Sequence, residues 1–219
     1  MPDPLRPPPV VPYRDRADAG VRLAAAFDPS WAGRPDVVVL GLARGGVPVA
    51  YEVARALGVP LDVFVVRKLG VPGHEELAFG ALASGGLRVL NEDLAATLPP
   101  EVVAEVSARE WDTLVAREAA YRGDRPPLDL RRRTVILVDD GLATGASMRA
   151  AVGAVRTRYP AGVVVAVPVG APATCEQLRT VADLVVCPLT PERFVAVGSW
   201  YDDFSPTTDD EVRRLLTLG

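Results

Sequence analysis

The chain has 219 residues, 49% hydrophobic and 24% charged, which is enough for one α/β domain with a sizeable core. The net charge of −4 argues against a protein that binds nucleic-acid phosphates. No apolar run is long enough to span a bilayer, and the N-terminus lacks the hydrophobic segment of a signal peptide. Cys175 and Cys187 are isolated and lack metal-binding spacing, so we expect free thiols in the cytoplasm.

The N-terminal half predicts a proline-rich arm followed by alternating helices and strands. Residues 1–12 should be extended and poorly ordered. In chain order, apolar spacing and turn residues then predict a helix over 15–27, a strand over 37–40, a helix over 47–57, a strand over 61–66, a polar loop over 71–76 and a hairpin over 77–83 and 87–90.

The C-terminal half continues the alternation and indicates the fold class. The elements predicted are a long amphipathic helix over 99–121, a strand over 135–138, a helix from 148, a strand over 163–167, a helix over 172–181, a strand over 184–187 and a helix over 208–218. Strands that alternate with helices predict an α/β fold, a parallel sheet flanked by helices. We expect an arm over 1–12, a core over 13–189 and an aromatic-rich C-terminal segment with a helix over 190–219.

The most informative stretch runs from residue 135 to 147 and reads VILVDDGLATGAS. Four apolar residues indicate a buried strand, and Asp139 and Asp140 follow where it ends. The glycine-containing loop, with hydroxyls at Thr144 and Ser147, leads into a helix N-terminus, where free N–H groups and the helix dipole attract an anion. Paired carboxylates repel phosphate, so they need vicinal hydroxyls or a metal ion as partners. An Asp-Gly turn and a helix cap would explain each residue singly but not the whole run.

This string closely resembles the 5-phosphoribosyl 1-pyrophosphate (PRPP) signature of the type I phosphoribosyltransferases. The resemblance implies that family's fold, with a small C-terminal hood and a β-hairpin with a flexible loop. It implies that Asp139 and Asp140 hold the ribose hydroxyls, and that the loop after them holds the 5′-phosphate. The residues of that loop are Gly141, Leu142, Ala143, Thr144, Gly145, Ala146 and Ser147.

Two further segments resemble the family's pyrophosphate-binding elements. Ala43, Arg44, Gly45 and Gly46 follow the first strand, where the family often has a cis peptide before the basic residue, here Ala43–Arg44. Arg67 and Lys68 close the next strand, and Lys68 is the only lysine in the chain. In the family, basic residues here reach pyrophosphate, and the loop after them closes over the site. A plain turn and a solvated surface are the alternatives for these segments.

The segment from residue 191 to 202 resembles the hood of hypoxanthine-type enzymes. The resemblance implies that Phe194 stacks on a purine and that Asp202 helps Asp139 and Asp140 to hold magnesium. The alternative is a hydrophobic cap made by the aromatic side chains of this segment, and both can hold at once. The signature has Ala143 where hypoxanthine-type enzymes have an aspartate, and the lysine that reads the purine carbonyl is missing, so the choice of base stays open.

The resemblance implies an Mg²⁺-dependent transferase in which a nucleobase nitrogen displaces pyrophosphate from C1 of PRPP. Arg44, Arg67 and Lys68 would neutralise the departing pyrophosphate, and Mg²⁺ would bridge its oxygens. A PRPP-binding regulator without catalytic activity is the alternative, but the chain lacks a basic arm or helix-turn-helix for nucleic acid. A homodimer is expected through residues 77–90 and the helix over 99–121.

Overall fold

The computed structural model describes residues 12–219, apart from the side chains of residues 75 and 76. These residues contain a five-stranded parallel sheet and a three-stranded antiparallel sheet. The strands are β1 (Val37–Leu42), β2 (Leu61–Phe64), β3 (Val66–Val71), β4 (His74–Ala83), β5 (Leu87–Leu90), β6 (Thr134–Val138), β7 (Gly162–Ala166) and β8 (Leu184–Val186). The helices are α1 (Arg16–Ala24), α2 (Gly46–Leu57), α3 (Glu92–Ala95), α4 (Pro100–Arg122), α5 (Ala146–Arg156), α6 (Pro172–Leu178) and α7 (Asp209–Leu218). The predicted arm over 1–12 lies outside the described residues except for Pro12.

The order of the parallel strands, β2-β1-β6-β7-β8, places the functional loops at the middle of the sheet. The chain leaves β1 towards β2 on one side and leaves β6 towards β7 on the other. The loops after β1 and β6 therefore diverge and leave a crevice between them, which is where ligands bind in open α/β sheets. The segment over 44–46, which we call the RGG loop, and the aspartate pair of Asp139 and Asp140 both lie at this point.

Alternate residues of the central strands face two different apolar layers. Val37, Val39 and Ile136 pack with α1, α2, α4 and α7, whereas Val38 and Val135 pack with α5 and α6. All these strand residues are buried because helices cover both faces of the sheet. The continuous apolar runs in the sequence follow from this burial, and the predicted α/β fold class is confirmed.

The structure differs from the sequence prediction at the segment over 61–76. The predicted strand over 61–66 divides into β2 and β3, and the chain leaves the parallel sheet between them. The predicted loop over 71–76 consists mainly of strand, because β3 and β4 pair as a hairpin joined at Pro72 and Gly73. Gly73 has a φ of +79°, which a hairpin turn allows at a glycine. Pairing of the backbone overrides the low strand propensity of these residues.

None of the helices in residues 12–219 is both long and apolar enough to cross a bilayer.

Cys175 and Cys187 both carry free thiols, as the sequence predicts.

An ion pair fixes α4 to the edge of the parallel sheet. The Arg122 guanidinium donates from Nε to both carboxylate oxygens of Asp62 on β2, at 3.0 and 3.1 Å. It also donates to Glu118 at 2.8 Å and to the Val63 carbonyl at 2.8 Å. The side chains of Asp62 and Arg122 are only 9% and 11% exposed, so neither charge is compensated by water.

We predict that Arg122→Ala lowers the free energy of unfolding by about 3–5 kcal/mol, because it leaves the buried Asp62 carboxylate without its charged partner. Chemical denaturation measures the change. The control is Arg55→Ala, which removes a pair with Glu52 whose arginine is 62% exposed. That variant should lose no more than about 1 kcal/mol, and equal losses in the two variants would contradict the argument.

Candidate functional site

The two acids at the end of β6 lie side by side with their carboxylates largely buried. Burial and the neighbouring charge of Asp140 raise the pKa of Asp139 well above its usual value. Burial also raises the pKa of Asp140, although the Arg16 guanidinium opposes this shift. Such raised values indicate that the site favours a partner, such as hydroxyl donors or a cation, that stabilises the negative charges.

Each of the two carboxylates has one oxygen held by the protein. Asp139 Oδ1 accepts a hydrogen bond from the Asp140 N–H at 2.9 Å, and Asp140 Oδ2 accepts one from Arg16 Nε at 2.9 Å. In the described part of the chain, no side-chain donor reaches the second oxygen of either acid. Each acid therefore keeps one oxygen that can accept a hydrogen bond from a ligand.

The loop over 141–147 leads from these acids to the start of α5. Gly145 has a φ of +69°, and a Cβ there would lie 2.6 Å from Thr174 Cγ2, so the turn requires glycine. No side chain of the described residues caps α5, which leaves the first-turn N–H groups available to an anion. The predicted Ala146 and Ser147 lie in this first turn, and Thr144 is exposed beside it.

Leu142 and Ala143 anchor the loop to the segment that follows β7. The Leu142 N–H donates to the Val169 carbonyl at 2.9 Å, and its carbonyl accepts from the Ala171 N–H at 2.8 Å. The Ala143 carbonyl accepts from the Thr174 hydroxyl at 2.6 Å. The Leu142 side chain is buried in the core, and its predicted contact with a substrate stays a prediction.

The RGG loop after β1 packs directly against the aspartate pair. A Cβ at Gly45 would lie 2.1 Å from Asp140 Oδ2, and one at Gly46 would lie 2.5 Å from the Val138 carbonyl oxygen. The Ala43–Arg44 peptide bond is cis, so that prediction is confirmed. Arg44 is exposed, and its Nη1 lies 3.7 Å from Asp209 Oδ1 on α7. The two glycines thus permit an approach of backbone to carboxylate that no larger residue allows.

Arg67 and Lys68 lie on β3 and differ in their surroundings. Arg67 is bound by Glu110 of α4, with its Nε and Nη2 at 2.9 and 2.6 Å from the same carboxylate oxygen. Lys68 is exposed and forms no ion pair with the described residues. Both line a cavity of about 470 Å³ that also contains Ser147. The cavity therefore joins the two cations to the start of α5.

The aromatic C-terminal segment packs over the end of the sheet. Phe194, Trp200 and Phe204 surround the buried rings of Tyr13 and Tyr201. The Tyr201 hydroxyl donates to the Asp140 carbonyl at 2.5 Å, which fixes this hood segment to the acid pair. The predicted hydrophobic cap is thus present, while stacking of Phe194 on a base stays a prediction.

Asp202 does not join Asp139 and Asp140 in a metal site. Its side chain is exposed, and its N–H donates to the Tyr13 carbonyl at 2.8 Å. Among the described side chains, which exclude those of residues 75 and 76, no three from His, Cys, Asp or Glu come together in a group that could hold a metal ion. The geometry therefore leaves the predicted three-carboxylate set unassembled, because the hood backbone holds Asp202 beside the N-terminal segment.

Sequence reasoning missed two residues that organise the site, Arg16 and Glu110, and it placed Tyr201 in the aromatic cap without its contact to Asp140. Arg16 and Asp140 are 124 positions apart, and Arg67 and Glu110 are 43 apart. An arginine or glutamate on an amphipathic helix carries no local signal of such a partner. Only the fold, which brings α1 and α4 beside the strand ends, shows these contacts.

Comparison with known proteins agrees with the fold and the site. The profile of the phosphoribosyl transferase domain family matches residues 14–202, and the chain belongs to this family. Two Mycobacterium tuberculosis proteins, from strains CDC 1551 and H37Rv, are 46% identical to it over 206 residues; each is named "Putative phosphoribosyl transferase". The match covers 93% of this chain but only 46% of theirs, so the chain spans about half the length of these curated relatives.

Solved structures show the same fold. The crystal structure of TT1426 from Thermus thermophilus is 46% identical, with a TM-score of 0.82, and the match covers 94% of this chain and 97% of that one. The structure of AQ2163 from Aquifex aeolicus is 13% identical, with a TM-score of 0.50 and coverage of 84% and 78%. The latter likeness concerns the fold alone.

We predict opposite effects of the same substitution at two glycines. Gly46→Ala forces a Cβ into the Val138 carbonyl and the Asp139 backbone, and should lower the free energy of unfolding by about 1–3 kcal/mol. Gly153→Ala, in α5, meets its nearest neighbour at an ordinary 3.7 Å. It should raise the free energy of unfolding by about 0.5–1 kcal/mol, since alanine favours the helix. Thermal or urea unfolding measures both, and destabilisation of equal size would contradict the packing argument.

Proposed function

We propose that this protein transfers the 5-phosphoribosyl group of PRPP to a ring nitrogen of a nucleobase. The C1–oxygen bond to pyrophosphate breaks, the C1–nitrogen bond forms, pyrophosphate departs with the bond's electron pair, and the base nitrogen gives its proton to water. The observation that carries the proposal is the pair of open carboxylate oxygens on Asp139 and Asp140 beside an uncapped helix N-terminus at the crevice of the sheet. The first feature suits a ribose diol and the second its 5′-phosphate.

In the proposed reaction the protein contributes mainly position and charge. Pyrophosphate is already a good leaving group, and the transition state resembles an oxocarbenium ion, as in other glycosyl transfers. Lys68, which is free of ion pairs with the described residues, would neutralise the pyrophosphate. Arg44 and Arg67 would add to this charge by exchanging their contacts with Asp209 and Glu110 for phosphate oxygens. The hairpin of β3 and β4 would exclude water from the reacting centre.

Mg²⁺ is the proposed cofactor. Two carboxylates with open oxygens offer hard donors that suit this ion, but they fill only part of its octahedral shell. Asp139 and Asp140 would therefore hold an ion that takes its remaining ligands from water and from the substrate. When bound, the ion would supply positive charge to the pyrophosphate oxygens.

We predict that the double substitution Asp139→Asn and Asp140→Asn lowers PRPP-dependent turnover by about two orders of magnitude or more, because the acceptors for the ribose hydroxyls are weakened. Pyrophosphate release is the readout. EDTA should abolish the wild-type activity, and added Mg²⁺ should restore it. The control is Asp124→Asn, at an exposed residue of the connection between α4 and β6. Unchanged turnover in the double variant would rule out the ribose assignment.

A purine is the proposed base, with support from Phe194 alone. The ring of Phe194 is half-buried in the hood, so part of it is accessible to a ligand. Stacking contributes about 1–3 kcal/mol and tolerates every base, so choice among bases needs hydrogen-bonding groups of the hood backbone.

Turnover with adenine, hypoxanthine, guanine, xanthine, uracil and orotate should show the highest kcat/KM for one purine. Phe194→Ala should raise the KM for that purine about tenfold, because a stacked ring is lost. Phe194→Tyr keeps the ring and serves as the control. An unchanged KM in Phe194→Ala would make this residue part of the cap only. Tight PRPP binding without turnover on any base would favour the alternative, a PRPP-binding regulator.

A homodimer is proposed from two apolar regions of the surface. Leu77 and Val89 on the antiparallel sheet are 51% and 40% exposed, and Trp111 and Val115 on α4 are 38% and 45% exposed. Burying such side chains against a second copy would be favourable. Light scattering at micromolar concentration should give twice the mass of the chain, and a monomeric mass would refute the assignment.

We also propose the cytoplasm as the compartment of this protein, where free thiols persist.

A further inference from the structure

We propose that Arg16 is a positioning residue that fixes Asp140 for the ribose and couples it to the segment that follows the hood. This inference rests on the proposed function, since it assigns a role in holding the same sugar. Arg16 lies in the first turn of α1, 124 residues before the acid that it contacts, and the PRPP signature does not include it.

The guanidinium of Arg16 makes three contacts with different parts of the molecule. Its Nε donates to Asp140 Oδ2 at 2.9 Å, and its Nη1 donates to the Ser205 carbonyl at 2.7 Å. Its central carbon, Cζ, lies 4.0 Å from the centre of the Phe204 ring. One side chain therefore joins α1, the acid pair and the segment that follows the hood.

The pair of Arg16 and Asp140 is enclosed and has little freedom to rearrange. Their side chains are 11% and 16% exposed. A Cβ on Gly45 would lie 3.3 Å from Arg16 Nε, so the RGG loop closes one side of the pair. The Tyr201 hydroxyl holds the Asp140 carbonyl on the same residue. The carboxylate is thus held at one oxygen, and only Oδ1 remains for a ligand.

Charge gives this contact a second role. Asp139 and Asp140 are adjacent carboxylates, and Arg16 is the cation that contacts them in the described residues. It compensates one of the two negative charges close to where the 5′-phosphate and pyrophosphate would bind. Without it, the acid pair would repel these groups more strongly, and Asp140 could turn away from the ribose.

The test is equilibrium binding of ribose 5-phosphate by calorimetry, compared with its 2-deoxy and 3-deoxy analogues. The preference of the wild type for ribose 5-phosphate over each analogue measures the hydrogen bonds made to one hydroxyl. We expect Arg16→Gln and Asp140→Asn each to reduce at least one preference by about fivefold or more, because a hydrogen bond to a charged group is lost. Arg16→Lys keeps the positive charge but loses the planar guanidinium with its several N–H donors. This variant should therefore retain part of the preference that Arg16→Gln loses.

The matched control is Arg14→Gln, since Arg14 is 76% exposed and its side chain pairs only with Asp18 among the described residues. This variant should keep both preferences. A merely structural role of Arg16 would lower all three affinities equally and leave both preferences intact, which would overturn the inference. If the wild type itself shows no preference for ribose 5-phosphate, the ribose assignment of the acids fails instead. The two failures are therefore distinguishable in the same set of titrations.

Discussion

The rest of the site depends on one constraint, two adjacent carboxylates held in a mostly buried place at the end of β6. Burial raises the pKa of both acids, and the charge of Asp140 raises that of Asp139 further, so the arrangement is unfavourable without compensation. The protein supplies part of this compensation, because the Asp140 N–H donates a hydrogen bond to Asp139 and the Arg16 guanidinium donates one to Asp140. What remains uncompensated is one oxygen on each acid, and this is the feature that a ligand would satisfy.

The neighbouring loops have their shapes because of these acids. Gly45 and Gly46 come so close to the carboxylates and to the end of β6 that a methyl group would collide with them. Gly141 is restricted in the same way, since a Cβ there would lie 2.5 Å from Val197 of the hood. Glycines at these points are therefore explained by packing around the acid pair as much as by backbone freedom. The loops from β1 and β6 and the hood form one unit around the carboxylates.

The cations of the site are arranged differently from the acids. The chain has a net charge of −4, so any attraction of phosphate must come from local groups. Arg44 and Arg67 are engaged with Asp209 and Glu110, whereas Lys68 is exposed beside a cavity that includes Ser147. A phosphate ligand would compete with these acids for the arginines. This competition offers a physical route by which α4 and α7, through one acid each, influence the affinity of the site.

Local patterns in the sequence determined the fold class and the centre of the site. Apolar runs and the alternation of strands with helices were sufficient for the parallel sheet, because burial of both faces dictates such runs. The run from Asp139 to Ser147 indicated the acid pair and a turn that leads into an uncapped helix N-terminus, since these residues are contiguous in the chain. The cis peptide at Ala43–Arg44 followed from the family resemblance.

Only the tertiary structure decided which distant side chains complete the site. Arg16 reaches Asp140, Glu110 binds Arg67, and Asp202 stays apart from the acid pair, and each outcome depends on how helices and hood pack on the sheet. The hairpin of β3 and β4 is likewise a product of backbone pairing that local propensity does not reveal. Contacts between residues far apart in sequence leave no periodicity or spacing to read. For this protein the contiguous signature could therefore be recognised in the sequence, and its distant partners could not.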